Sequence, residues 1–232
     1  MAGFFDEIPQ KTLESQVLDR LREAIVEGAF EPGTQINQVQ VAANFGISRG
    51  PIRAALNKLE EEGLVINIPH RGTFVAPLDK KIVAEVYGVR SVLEGYAVRL
   101  TIADLDDADL TALEKIYNAM QKAARDNDLK AVVRHDFELH KFFVEMSGNA
   151  VLMQSWSILQ VQVRRILSYR YFSHPYLQEM ADSHTALLEL ARQRRANEAG
   201  QLMEEHIMKA CENILANWGR RVEEPENVKS VA

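Results

Sequence analysis

The chain has 232 residues, of which 47% are hydrophobic and 26% are charged, and this composition is typical of a globular protein with an apolar core. Its single cysteine, Cys211, excludes an internal disulfide framework and is typical of a reducing cytoplasm. The formal net charge of −6 excludes a broadly basic surface, so any affinity for DNA must depend on a few locally placed cations.

Neither the start of the chain nor its longest uncharged stretch predicts a membrane protein. Met1–Gln10 carries Asp6 and Glu7, and it lacks the basic start and apolar run of a secretory signal. Met146–Val163 is uncharged, but its serine, glutamine and asparagine residues make it too polar to span a bilayer. We therefore expect a cytoplasmic protein with no membrane partner.

Residues 10–78, which follow a tail over residues 1–9, predict a winged helix-turn-helix. Asn37 and Ser48 are typical N-cap residues, and Gly46 separates the two helices that they begin. The predicted elements in chain order are a helix over Thr12–Glu27, a short strand at Gln35-Ile36, helices from Asn37 to Phe45 and from Ser48 to Glu62, and a hairpin of Leu64–Pro69 with Thr73–Ala76.

The third of these helices carries the residues that favour DNA binding. Arg49 and Arg53 lie one turn apart near its N-terminus, and an arginine can donate twice to guanine or hold a phosphate. The free N–H groups of a helix N-terminus also favour a phosphate. His70 and Arg71, at the tip of the hairpin, can reach the DNA backbone or an adjacent minor groove. The alternative is a small helical domain whose arginines lie on the surface without a partner.

From residue 79 to residue 219 the sequence predicts helices only. The polar residues 220–232 then predict a flexible tail. Six helices over this range favour an all-α antiparallel bundle. The breaks between them are predicted near Asp104–Asp107, Asn127-Asp128, Ser147-Gly148-Asn149, Ser173-His174-Pro175 and Ala196-Asn197.

Four residues on apolar helix stripes predict a metal site in the bundle. Asp136 and His140 are spaced i, i+4, so they share one inward face. His184 and His206 lie on the apolar stripes of later helices. These polar side chains would be costly to bury without partners, and one divalent cation satisfies all four. An aspartate with three imidazoles suits Zn²⁺, Ni²⁺, Mn²⁺ or Fe²⁺ and does not choose among them.

Two arginines are candidates for binding an anionic effector. Arg90 lies on an inward stripe, where its guanidinium can hold a carboxylate. The alternative for Arg90 is a buried ion pair with Glu94, one turn further on. Arg164 lies on a more polar face and is the weaker candidate.

The N-terminal residues carry a dense set of motifs, which are Pro32-Gly33, Gly46-Ile47-Ser48-Arg49, Pro51-Ile52-Arg53, Leu59-Glu60, Gly63-Leu64 and Arg71-Gly72-Thr73-Phe74-Val75. They closely resemble the winged helix-turn-helix of the GntR family of regulators. The resemblance implies a homodimer that binds a short palindromic DNA operator. Gly50 stands where a threonine is common and Val39 where some members carry a basic residue, so the operator cannot be copied from a relative. The resemblance implies DNA contacts by Ser48, Arg49, Gly50, Arg53, His70 and Gly72.

Residues 79–219 resemble the six-helix form of the FCD domain, the effector domain of the FadR-type branch of this family. That branch pairs an aspartate and a histidine four residues apart with two later histidines, and the sequence matches this pattern. Many members bind a small carboxylate beside the metal, so the resemblance implies a small organic acid as effector. The matching residues are Asp136, His140, His184 and His206.

The sequence therefore predicts a mainly α transcription regulator, not an enzyme, whose ligand shifts a dimer between states that differ in DNA affinity. One alternative is a metal-dependent hydrolase, although the chain has no HExxH or GxSxG motif and four protein ligands leave less room for a substrate. The other alternative is a metal sensor, in which the cation itself is the signal.

Overall fold

The computed structural model describes residues 12–168 and 177–218, which form two compact units. The first contains residues 12–78 together with 164–168, and the second contains residues 79–163 and 177–218. The two predicted tails and the predicted break at Ser173-His174-Pro175 lie outside the described residues.

The first unit contains three helices and a two-stranded hairpin, as the sequence predicts. Asn37 caps α2, because its side chain accepts hydrogen bonds from the backbone N–H groups of Val39 and Gln40. Gly46 ends α2 in the left-handed conformation, with φ 65°. The elements are α1 (Leu13–Val26), α2 (Gln38–Phe45), α3 (Arg49–Glu61), β1 (Val65–Ile68) and β2 (Gly72–Val75).

The hairpin packs beside the helix-turn-helix as a wing. β1 and β2 pair antiparallel, with Val65 opposite Val75 and Ile68 opposite Gly72. The strand predicted at Gln35-Ile36 is reduced to a single bridge between Gln35 and Phe74. A single bridge pairs only one residue of the segment, so Gln35-Ile36 does not count as a strand.

The second unit is all helical over its described residues, which confirms the predicted fold class. The fifth predicted helix is divided in two, because the helix is interrupted at Ser183 and His184. His184 therefore precedes a new helix instead of lying inside a continuous one. The helices are α4 (Lys80–Asp104), α5 (Asp107–Arg125), α6 (Leu129–Met146), α7 (Ala150–Ser168), α8 (Leu177–Asp182), α9 (Thr185–Arg192) and α10 (Ala196–Ala216).

Helix α4 lies at the centre of this unit and packs against α6 and α10. Thr101 donates to the carbonyl oxygen of Phe143 at 2.7 Å, which joins α4 to α6. Gly95 and Gly200 let α4 and α10 approach closely, because a Cβ on either would lie 2.5 Å from a side chain of the other helix. Helix α6, which carries Asp136 and His140, and helix α10, which carries His206, therefore both pack on α4.

Candidate DNA interface and metal centre

The two predicted recognition arginines lie at the exposed start of α3. Both Arg49 and Arg53 are exposed, and no described residue forms an ion pair with either. Ser48 is the N-cap residue, but its side chain makes no capping hydrogen bond, which differs from the prediction. The Ser48 hydroxyl is exposed, as is Gly50, and it does not bond the N–H groups at the start of α3. Ile52 and Leu56 are buried on the opposite face, as expected.

The wing tip is a tight, exposed turn. His70 and Gly72 have left-handed backbone conformations, with φ of 62° and 98°, and both are exposed together with Arg71. The side-chain N–H of Gln35 donates to the carbonyl oxygen of Arg71 at 2.7 Å. A Cβ on Gly72 would lie 3.1 Å from the same nitrogen. Gln35 thus supports the wing tip, a role that sequence reasoning missed because the contact spans 36 positions.

In the second unit the four predicted metal ligands form one cluster. Asp136, His140, His184 and His206 each offer a ligand atom within 4.8 Å of the others. Nε2 of His184 lies 3.3 Å from Oδ1 of Asp136, and Nε2 of His140 lies 3.8 Å from the same oxygen. The rings of His184 and His206 are 4.4 Å apart between centroids.

The hydrogen bonds of the cluster fit a metal ion. Nδ1 of His184 donates to the carbonyl oxygen of Met180 at 3.1 Å, so Nε2 carries the lone pair. Among the described residues that Nε2 is buried without a hydrogen-bond partner, and it faces the acceptor oxygen of Asp136. Nδ1 of His140 is held at 2.5 Å by Glu94, which likewise leaves Nε2 toward the cluster. Two lone pairs and a carboxylate directed at one point are the arrangement that a cation satisfies.

The charge states of the imidazoles also suit metal binding. Burial lowers the pKa of His184 to about 4, with the nearby His140 acting in the same direction against Asp136. Burial lowers the pKa of His206 as well, and the neighbouring His184 and His140 add to the effect. Both imidazoles are therefore neutral near pH 7, the form that binds a metal.

Glu94 joins the cluster to the candidate effector arginine. Nε of Arg90 donates to Glu94 at 2.7 Å, so the ion pair that the sequence offered as an alternative is formed. The guanidinium also lies 5.5 Å from the centroid of the Tyr87 ring. Because Arg90 and His140 bond the same carboxylate of Glu94, the guanidinium lies beside the cluster. The sequence did not reveal the contact of Glu94 with His140, because the two residues are 46 positions apart.

Arg164 has different surroundings. It lies near the end of α7, in the stretch that belongs to the first compact unit, and its side chain is 44% exposed. Its guanidinium forms an ion pair with Glu23 at 3.2 Å. An effector-binding role for Arg164 stays a prediction that these contacts do not support.

A winged helix-turn-helix joined in one chain to an all-helical unit with an Asp-His₃ cluster is the architecture of a bacterial transcription regulator. The model of the bacterial regulatory proteins of the gntR family matches residues 13–75, and the FCD domain model matches residues 85–209. The chain therefore belongs to the GntR family and carries an FCD domain.

Individual relatives agree with this assignment. The chain is 29% identical over 200 residues to the HTH-type transcriptional regulator YdhC of Bacillus subtilis. This alignment covers 86% of the chain and 89% of YdhC. It is 28% identical over 190 residues to the Nta operon transcriptional regulator of Aminobacter aminovorans, covering 80% and 87%. The solved structure of McbR/YncC from E. coli has the same fold, with a TM-score of 0.72 at 22% identity over 90% of this chain and all of that one. No described helix of the chain is both long and apolar enough to cross a membrane.

Proposed function

We propose that the chain is a homodimeric regulator that binds a palindromic operator and whose DNA affinity is controlled by a small carboxylate bound beside a divalent metal. Residues 10–78 are the DNA-binding domain and residues 79–219 the effector-binding and dimerisation domain. The observation that carries the proposal is the buried Nε2 of His184, which has no hydrogen-bond partner among the described residues and faces Asp136 in a unit linked to a winged helix-turn-helix.

DNA binding is supported by the exposed surface of the first unit. A recognition helix enters the major groove with its N-terminal residues toward the bases, and a wing contacts the backbone or the minor groove. All seven residues assigned to the interface are exposed, so a duplex can reach them. They are Ser48, Arg49, Gly50, Arg53, His70, Arg71 and Gly72.

Metal and effector binding are supported by the second unit. Asp136, His140, His184 and His206 would hold Zn²⁺, Ni²⁺, Mn²⁺ or Fe²⁺, because an oxygen and three imidazole nitrogens suit all four cations. The bound metal would supply a Lewis-acidic position for an oxygen of the effector. Arg90 would hold a second oxygen group, since Glu94 occupies only part of its set of five donors.

Dimerisation is supported by an apolar stripe on the outer face of α4. Val89, Val92 and Tyr96 are spaced three and four residues apart, so they share one face. They are 52%, 63% and 48% exposed, an unusual exposure for three large apolar side chains in one row. A second copy of the chain is the partner that we assign to this stripe.

The test is to select bound fragments from the genome that encodes the chain and to measure their affinity with and without metal and organic acids. We expect one palindromic site whose affinity changes only when a metal and an acid are both present. A change caused by the metal alone would favour the metal sensor. Turnover of an ester or amide by the metal-loaded protein would favour the hydrolase, and failure to enrich any palindrome would exclude the proposed function.

A further inference from the structure

Glu94 is the most completely buried acidic side chain among the described residues, with 0% exposure. Its carboxylate accepts hydrogen bonds from three helices. Arg90 of α4 donates at 2.7 Å, Trp156 of α7 donates from its indole nitrogen at 2.7 Å, and Nδ1 of His140 of α6 lies at 2.5 Å. A buried carboxylate is stable only when charged and hydrogen-bonded donors surround it, so this arrangement is built around its negative charge.

The carboxylate of Glu94 contacts two basic side chains, those of Arg90 and His140. Nε of Arg90 donates to Oε1 of Glu94 at 2.7 Å, and Nδ1 of His140 lies 2.5 Å from Oε2. The charge of Glu94 is therefore divided between a guanidinium, which is a permanent cation, and an imidazole that belongs to the metal cluster. A carboxylate on the far nitrogen of a metal-binding histidine fixes the tautomer of the ring and makes its other nitrogen a stronger ligand.

We propose that Glu94 is a positioning residue that sets the metal affinity of the cluster by sharing its charge between His140 and Arg90. The proposal rests on the metal site of the proposed function. It has a consequence for the effector, since an acid that takes up the charge of Arg90 frees Glu94 to strengthen His140 as a ligand. Metal binding and anion binding then favour each other through a single carboxylate, and linkage makes that effect reciprocal.

The experiment measures the affinity of the purified full chain for Co²⁺, whose absorption bands report both binding and ligand geometry. We expect Glu94→Gln to weaken Co²⁺ binding by about 10–100-fold, the usual effect of losing such a partner. Arg90→Gln should strengthen it, because a nearby cation is removed and Glu94 is left to His140. A packing defect would weaken binding in both variants, so that result would overturn the shared-charge mechanism.

The matched control is Glu204→Gln, which removes another glutamate paired with an arginine of α4. Glu204 accepts from Arg99 at 2.6 Å and makes no hydrogen bond to the four metal-capable residues. This variant should bind Co²⁺ like the wild type. Equal Co²⁺ affinity in the wild type and in Glu94→Gln would overturn the proposal, whereas a wild type that binds no Co²⁺ would instead remove the metal site of the proposed function.

A measurement on the wild type covers the case in which Glu94→Gln does not fold. Long-range ¹H–¹⁵N correlation spectra of the metal-free chain distinguish the two imidazole tautomers. We expect the spectra to show Nδ1 of His140 protonated, with a strongly deshielded proton because the acceptor is only 2.5 Å away. A His140 ring protonated on Nε2 alone would overturn the role of Glu94.

Discussion

Arg49 and Arg53 are the two side chains on which sequence-specific DNA binding should depend. Replacing either by alanine should weaken operator binding by about 1–3 kcal/mol if the arginine reads a base. A contact with phosphate alone would weaken binding to all sequences alike and reduce the salt slope by about one. Fluorescence anisotropy with operator and scrambled duplexes at several salt concentrations separates these two cases.

The control for this prediction is Arg125→Ala, which removes an exposed arginine at the end of α5. It changes the net charge by the same amount but lies outside the helix-turn-helix, so operator affinity should stay at the wild-type value. If Arg49→Ala and Arg53→Ala also bind like the wild type, α3 is not the recognition helix.

His184 is the ligand whose loss should affect metal binding most directly. His184→Ala removes the ring whose Nε2 has no other partner among the described residues, so the chain should lose its metal or bind it far more weakly. Elemental analysis after reconstitution should give about one metal ion per chain for the wild type. His135→Ala is the matched control, because His135 pairs with Glu138 at 2.7 Å and lies outside the cluster. Equal metal content in both variants would contradict the site.

The sequence predicted the members of the cluster but not the contacts that orient them. The i, i+4 spacing of Asp136 and His140 is a local property of a helix, so it could be recognised without the fold. The contact between His140 and Glu94 depends instead on how α6 packs against α4, which no local pattern encodes. Gln35 was missed for the same reason, since its partner at the wing tip is distant in sequence.

At the level of helices, the close approach of α4 and α10 predicts an unusual response to a glycine substitution. A Cβ at residue 200 would lie 2.5 Å from Cγ of Arg99, so Gly200→Ala must displace that side chain and its ion pair with Glu204. Displacing a side chain in a packed interface costs about 1–3 kcal/mol, whereas alanine stabilises a helix interior by only about 0.5–1 kcal/mol relative to glycine. Gly200→Ala should therefore lower the free energy of unfolding.

The Arg99→Ala background tests this steric explanation. With the obstructing side chain removed, Gly200→Ala should become stabilising by about 0.5–1 kcal/mol, because only the helix propensity remains. Urea unfolding of the two single variants and the double variant gives the coupling between the sites. The same sign in both backgrounds would show that Arg99 is not the obstacle.

The boundaries of the helices were predictable where a cap or a glycine marks them, and not where the apolar pattern continues through a break. Leu177, Ala181, His184, Leu187 and Ala191 all lie on one buried face. At the break the N–H of His184 donates to the carbonyl oxygen of Ala181, three residues earlier, as in a 3₁₀ turn. The side chains on either side of the break therefore still lie on the same buried face. Periodicity alone therefore indicates one helix where there are two.

At the scale of the whole molecule, the exposed stripe on α4 predicts the oligomeric state. Val92→Asp would place a charge in the middle of the proposed interface, where an unpaired buried carboxylate is costly. We expect the wild type to sediment as a dimer and this variant as a monomer with weakened operator binding. Val151→Asp changes an equally apolar residue that is 74% exposed on α7, and it should leave the dimer intact. A monomeric wild type, or a dimeric Val92→Asp, would contradict the interface.

The effector prediction concerns how ligands stabilise the chain as a whole. A ligand that binds only the folded protein stabilises it by mass action, by about 2.7 kcal/mol at one hundred times its Kd. For a chain of this size, that stabilisation should raise Tm by several degrees. We expect one or more small acids to do so in a thermal-shift screen of dicarboxylates, tricarboxylates, hydroxy acids and sugar acids, and only when the protein carries its metal. The metal-free protein should show no shift, because an oxygen of the acid would then lack its cation.

A variant of Arg90 tests whether its guanidinium binds a second oxygen group of the acid. A hydrogen bond to a charged group is worth about 1.5–3 kcal/mol, so Arg90→Ala should lose most of the shift that the best acid produces in the wild type. Because Arg90→Ala also removes two hydrogen bonds to Glu94, each variant must be compared with its own Tm without acid. The control is Arg99→Ala, which removes an arginine of the same helix that pairs with Glu204 and should keep the full shift. An acid that stabilises Arg90→Ala as much as the wild type would exclude Arg90 from the effector site. If no acid stabilises the metal-loaded wild type, the metal is either the signal or a structural ion.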